Sequence, residues 1–149
     1  QSRNCGASQR FTATFSAAAR PISRKPSAAW RAGAILTTHA TAPVTITGST
    51  FENNTVSTRE GGAIAFNGPG AVVDSVFRGN HSLGAGGAIY SLGALTVTGG
   101  LFEANVAGPG GVAYGGAIYS AGPVVDVTAT PFVGNSAQIG GAIFLNGPT

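Results

Sequence analysis

Short runs of alternating apolar and polar residues recur along the chain, each ending in phenylalanine: VTITGSTF (44–51), AVVDSVF (71–77), LTVTGGLF (95–102) and VDVTATPF (125–132). Val44 and Ile46, Leu95 and Val97, and Val125 and Val127 stand two apart, with Thr45, Thr96 and Asp126 between them. Period-two alternation marks a strand buried on one face. Ile46 and Phe51 are five apart, an odd step that a straight strand would send to opposite faces. A corner at Gly48-Ser49, and at Gly99-Gly100 in the third copy, brings both inward, because glycine accepts the positive φ of a sharp bend.

Two further motifs keep the same beat. GGAI begins at Gly61, Gly86, Gly115 and Gly140, and an imperfect AGAI at Ala32, so successive starts are 29, 25, 29 and 25 residues apart. Phe-x-x-Asn occurs as Phe51…Asn54, Phe77…Asn80, Phe102…Asn105 and Phe132…Asn135. Its three-residue step implies a second corner. GGAI supplies a third short strand, with its glycines making the turn that leads into it. Self-similarity at this period signals a solenoid. Three strands and three corners in about 25 residues predict one coil of an all-β parallel β-helix of about four to five coils. Stacking places Ile35, Ile64, Ile89, Ile118 and Ile143 in one inner column, the four Phe in another and the four Asn in a third. A buried asparagine needs partners for its amide, and stacked copies can bond to one another and to turn carbonyls.

Composition narrows the class. Charged residues are 9% and glycines number 24, which argues against a helical protein. Six of the eight basic residues precede residue 32, where there is no acid, whereas two basic residues face five acids from 32 onward. The repeats are thus mildly acidic and offer no nucleic-acid groove. Residues 1–31, rich in Arg, Ser and Ala and broken by Pro21 and Pro26, read as a leader without regular structure or a remnant of an N-terminal cap, with Trp30 over the end of the stack. Residues 32–149 are the repeats. Cys5 is alone, so no disulfide forms within the chain. No apolar run reaches the length needed to cross a bilayer, so insertion into a membrane is not expected of these residues. IFLNGPT (143–149) matches IAFNGPG (64–70), which leads directly into a strand. The chain therefore reads as truncated in mid-coil, with further coils or a cap in its parent.

Repeated GGA[Ile/Leu/Val] alternating with Phe-x-x-Asn resembles the chlamydial-type polymorphic outer-membrane proteins over residues 32–149. The resemblance implies a right-handed β-helix passenger carried to the cell surface by a C-terminal autotransporter barrel. It also implies an outer-membrane, cell-surface or extracellular location and adhesion to a host-cell receptor or glycan. The competing classes are a pectate-lyase-like polysaccharide enzyme and a structural coat component.

An enzyme of that kind needs acids converging on one face, and counting from each Phe does not bring them together. Asp74 is level with Gly48, Gly99 and Ala129; Asp126 is level with Thr45, Ala71 and Thr96; Glu60 stands beside its GGAI. The residue after Phe is Glu52, Arg78, Glu103 and Val133. Two carboxylates about 9–10 Å apart lie near the upper limit for an inverting glycosidase. Arg78 between them favours a surface ion-pair ladder instead, which stabilises little. Tyr90, Tyr119 and Phe144 follow Ile in three copies and predict an outward aromatic row suited to sugar rings or a binding patch. GPGGVA (108–113) matches the letters of a dinucleotide fingerprint but lacks the βαβ context, and reads as an expanded corner. His39 and His81 fall in different corners without metal-ligand spacing, so no catalytic residue, metal or cofactor is assigned. Asn53 and Asn80 begin glycosylation sequons, of which Asn80 belongs to the inner column.

Overall fold

The computed structural model describes residues 32–38, 41, 43–57, 60–108 and 111–147, together with the backbone of 16–17. The roles read for the rest of 1–31, including Cys5 and Trp30, and for His39 lie outside the described residues. Regular structure among the described residues consists of strands of two to four residues, all paired in parallel. They stack as a β-solenoid of about four turns.

Each turn visits four sheets rather than the three read from the sequence. The chain first runs through the isoleucine sheet: Ile35–Thr37, Ile64–Phe66, Ile89–Ser91, Ile118–Ser120 and Ile143–Leu145. It continues through the threonine sheet: Val44–Thr47, Gly70–Val73, Leu95–Thr98 and Val125–Thr128. The phenylalanine sheet follows, with Thr50–Glu52, Val76–Arg78, Leu101–Glu103 and Phe132–Val133. Ser16–Ala17 pairs with Thr50–Phe51 and adds one rung to that sheet on its N-terminal side. The additional sheet is short: Thr55–Val56, His81–Ser82 and Val106–Ala107, extended by a single bridge from Val106 to Ser136. It lies just after each Phe-x-x-Asn, where two residues are too few for alternation to show.

Register explains the core. Ile35, Ile64, Ile89, Ile118 and Ile143 are successive partners, and the central three are wholly buried. The phenylalanines stack ring on ring at 4.9, 4.6 and 5.0 Å between centroids, nearly parallel. Val72 and Val97 pair in the threonine sheet and fill a neighbouring column. Full burial of each such side chain contributes about 1.5–3 kcal/mol, and this burial exists only between coils. One rung exchanges volume with its neighbour in sequence. Phe66 is fully buried where other coils place Ser91 and Ser120, and Gly70 opposite it leaves the room its ring fills.

The corners turn on one residue with positive φ, or on two at Gly99-Gly100, and glycine is not their general solution. One corner column is Gly48, Asp74, Gly99 and Ala129, and the next is Asn53, Gly79, Ala104 and Gly134, with φ between 47° and 66° throughout. An alanine held there is strained by roughly 1–2 kcal/mol. Ala104→Gly, at an exposed corner, is expected to raise stability by about 0.5–1 kcal/mol, read as an upward shift of the urea midpoint. A lowered midpoint would show that alanine is unstrained at this corner.

The two glycines of GGAI have different duties. Gly86 turns the chain with φ of 61°. Gly87 is needed for space, since a Cβ there would run into the carbonyl oxygen of Gly116 and lie 2.6 Å from the Val106 nitrogen. Only the first glycine of the pair therefore makes the turn that the sequence assigned to both.

Candidate functional site

Three side-chain arrays stand out, one inside the solenoid and two on its surface. The inner array is the asparagine column. Asn105 Oδ1 accepts from the backbone N–H of Asn80 at 3.0 Å and from Asn80 Nδ2 at 2.9 Å. Asn105 Nδ2 donates onward to Asn135 Oδ1 and back to the Phe77 carbonyl, both at 2.9 Å. Asn80 repeats the pattern with Asn54 and the Phe51 carbonyl, and Asn135 donates to the Phe102 carbonyl. Asn80 and Asn105 are fully buried. Every amide atom in the middle of this column is committed to holding corners together, so it does no chemistry. The Asn80 sequon is sealed by the same bonds, whereas Asn53 is exposed.

The second array is Glu52, Arg78 and Glu103, register partners on the outer face of the phenylalanine sheet. Arg78 Nε donates to Glu103 Oε2 at 2.6 Å and Nη1 to Glu52 Oε1 at 2.7 Å. The hydrogen bond and charge of Glu103, then the hydrogen bond of Glu52, raise the guanidinium pKa above its ordinary value. The arginine therefore stays charged at every physiological pH. Both carboxylates are tied to it, and its side chain occupies the space between them where a substrate would bind. Asp74 and Asp126 lie in other columns, on the corner beside the threonine sheet and on its outer face. Thr128 donates to the Asp126 carboxylate at 3.2 Å. Among the described residues no three His, Cys, Asp or Glu side chains gather into a group able to hold a metal ion.

The third array is aromatic. Tyr90, Tyr119 and Phe144 are register partners on the outer face of the isoleucine sheet. Tyr90 and Tyr119 stack at 5.0 Å, and Tyr119 and Phe144 at 5.7 Å. Tyr114, which the sequence reading did not single out, joins them with its ring 4.8 Å from Phe144 and edge-on to Tyr119 at 6.4 Å. It stands just before GGAI, in a column of bridges running Glu60, Ala85, Tyr114, Ile139. Those four residues share no chemistry, so only the spacing to GGAI could have flagged it. Val112 and Ile139, both exposed, continue the apolar surface. Asn146 Nδ2 donates to the Tyr119 hydroxyl at 3.2 Å at its far edge.

The expanded corner at 108–113, of which 109–110 lie outside the described residues, comes between two depressions. One, of about 490 Å³, is bounded by Gly108 and Gly111 with His81, Ser136 and Gln138. The other, of about 220 Å³, opens beside Tyr90, Tyr114 and Tyr119 with Glu60 and Val112 in its wall. Among the described residues no helix is long and apolar enough to cross a membrane, which says nothing of strands in a barrel.

Two segments, 48–67 and 74–92, match the family model of the Chlamydia polymorphic membrane protein (Chlamydia_PMP) repeat. They run from the corner before Phe51 through the GGAI at Gly61, and from the corner before Phe77 through the GGAI at Gly86. No curated protein and no solved structure matches the chain.

Proposed function

We propose, from a chain that carries Chlamydia polymorphic membrane protein repeats, that this solenoid is a non-enzymatic stretch of a surface-exposed protein of the outer membrane. In this reading it adheres to a partner through its aromatic strip. The family connects the chain to an outer-membrane or surface location. The rigid ladder supplies a scaffold, and the expanded corner beside the strip can vary without disturbing the core. The observation that carries adhesion is the row of Tyr90, Tyr119 and Phe144 joined by Tyr114, rings from three coils gathered on one outer face. Aromatic anchors of this kind dominate binding energy at protein surfaces. The partner read for it is a host-cell surface receptor or a glycan.

The test uses the folded, labelled chain on cultured animal cells and on a printed glycan array. Binding is expected to fall about tenfold or more in Tyr119→Ser/Phe144→Ser, with unfolding by urea confirming that the variant remains folded. Glu103→Gln, on another sheet, is expected to leave binding unchanged. Adhesion by the double variant at the wild-type level, or no adhesion by the wild type, would overturn this reading.

A further inference from the structure

The outer face of the threonine sheet is a grid of short side chains. Ile46, Val72 and Val97 point into the core, so the residues on either side of them face outward. In register these are Thr45 and Thr47, Ala71 and Val73, Thr96 and Thr98, then Asp126 and Thr128. The pairing is unbroken, which sets neighbouring rungs about 4.8 Å apart and the two residues of one rung about 6.6–6.8 Å apart. The coils also stand straight over one another. Phenylalanine rings repeat at 4.9, 4.6 and 5.0 Å inside, and Tyr90 and Tyr119 at 5.0 Å on another face, all close to the interstrand spacing. The twist of an ordinary sheet would displace such rings sideways and lengthen those distances. The grid is therefore regular in both directions.

Its hydroxyls are unspent. Around it, Ser49 and Ser75 donate to the Thr47 and Val73 carbonyls at 2.9 Å, Ser91 to the Gly93 carbonyl at 3.0 Å, and Thr130 to the Gly99 and Thr128 carbonyls at 2.9 Å. Thr128 donates to Asp126, where charge ends the array. Among the described residues the side-chain hydroxyls of Thr45, Thr47, Thr96 and Thr98 bond to no protein group. On the rung between these pairs, Val73 keeps the shape of threonine without its hydroxyl.

The face excludes most occupants. Neither depression includes a residue of this sheet, and a small soluble ligand needs concavity. A protein partner is anchored by Trp, Tyr or Arg, and threonine and valine are poor anchors. Sugar rings stack on aromatic faces, and the grid has none. What it offers is methyl groups and hydroxyls, uncharged from Thr45 to Thr98, at a fixed two-dimensional repeat.

We propose that this face, from Thr45 to Thr98, binds ice. Water oxygens on a prism face of ice repeat at close to the rung spacing along one axis and slightly beyond the two-residue spacing along the other. The methyl groups order the water that lies against them, and the hydroxyls fix it in register. Each such water contributes little, but contacts held rigidly at one repeat act together. The site is on a different sheet from the aromatic strip and does not rest on adhesion.

The experiment grows ice slowly from a dilute solution of the folded, labelled chain and compares label in the ice with label in the remaining liquid. The wild type is expected to enter the ice above the level of serum albumin. Thr98→Tyr and Thr45→Lys, which break the plane at two separate rungs, are expected to fall to that level with their urea midpoints retained. Ala71→Thr/Val73→Thr, which completes the middle rung, is expected to enter more strongly than the wild type. Val133→Tyr puts the same bulk on the outer face of the phenylalanine sheet and is expected to behave as the wild type. Exclusion of both the wild type and the completed double variant overturns the proposal. So does uptake that survives both Thr98→Tyr and Thr45→Lys, or that Val133→Tyr abolishes. Retention on cellulose or chitin powder that Thr98→Tyr abolishes, without uptake into ice, overturns it in favour of a solid polysaccharide.

Discussion

Replacing Asn105 with alanine is expected to destabilise the solenoid by about 3–6 kcal/mol, whereas Asn54→Ala is expected to cost only about 1 kcal/mol. The difference follows from the direction of the ladder. Each Oδ1 receives two donors from the preceding coil, and each Nδ2 donates both to the following coil and back to a phenylalanine carbonyl. Removing the Asn105 side chain strands the Asn80 N–H, one Asn80 amide hydrogen and the Phe77 carbonyl, all in a region that water does not reach. A buried polar group without its partner costs roughly 1–3 kcal/mol. At the N-terminal end the loss is smaller, because Asn80 Oδ1 keeps the Asn54 backbone N–H at 3.0 Å after the Asn54 side chain is removed. Urea unfolding followed by far-ultraviolet circular dichroism measures both variants. Equal losses at the two positions would show that the column works as isolated pairs and not as a directional array.

The second large effect concerns Gly87. Gly87→Ala would drive a methyl group into the Gly116 carbonyl and against Val106 backbone atoms at 2.6 and 2.7 Å, none of which can rotate away. The coils at this point must separate, which breaks the Ile89–Ile118 rung beside them. We predict a loss of at least about 3 kcal/mol. Gly141→Ala is the matched control, since a methyl there would find the Asn135 carbonyl at an ordinary 3.7 Å. It is expected to be near neutral by the same urea measurement. A tolerated Gly87→Ala would mean that the coils can move apart without losing their stacking, against the close approach described above.

These two predictions mark what was legible in the amino-acid sequence. The solenoid could be read because the isoleucines and phenylalanines keep intervals that allow coils of 25 and 29 residues to share one register. The first corner could be read where glycine announced it, and the second from the three-residue step of Phe-x-x-Asn. Ala129 occupies the same left-handed position as Gly48, Asp74 and Gly99, and nothing in an alanine signals a positive φ. The fourth sheet was invisible because Thr55–Val56 and its partners are two residues long. Phe66 was missed because its column holds Thr37, Ser91 and Ser120, so its burial depends on the local absence of a side chain at Gly70. The surface divided in the same way. Tyr90, Tyr119 and Phe144 all follow an isoleucine and could be aligned, whereas Tyr114 belongs to a column of unlike residues and emerged only from coordinates.

The direction of the backbone pairing has a mechanical consequence. Strands run around the solenoid, so the bonds between coils point along its length. A load applied to the chain ends along that axis reaches one rung at a time, in series, and not a whole sheet in shear. Each coil that peels off frees 25 to 29 residues, about 80–100 Å of extended chain. Tension would therefore be relieved by stepwise lengthening, while the remaining coils keep their shape.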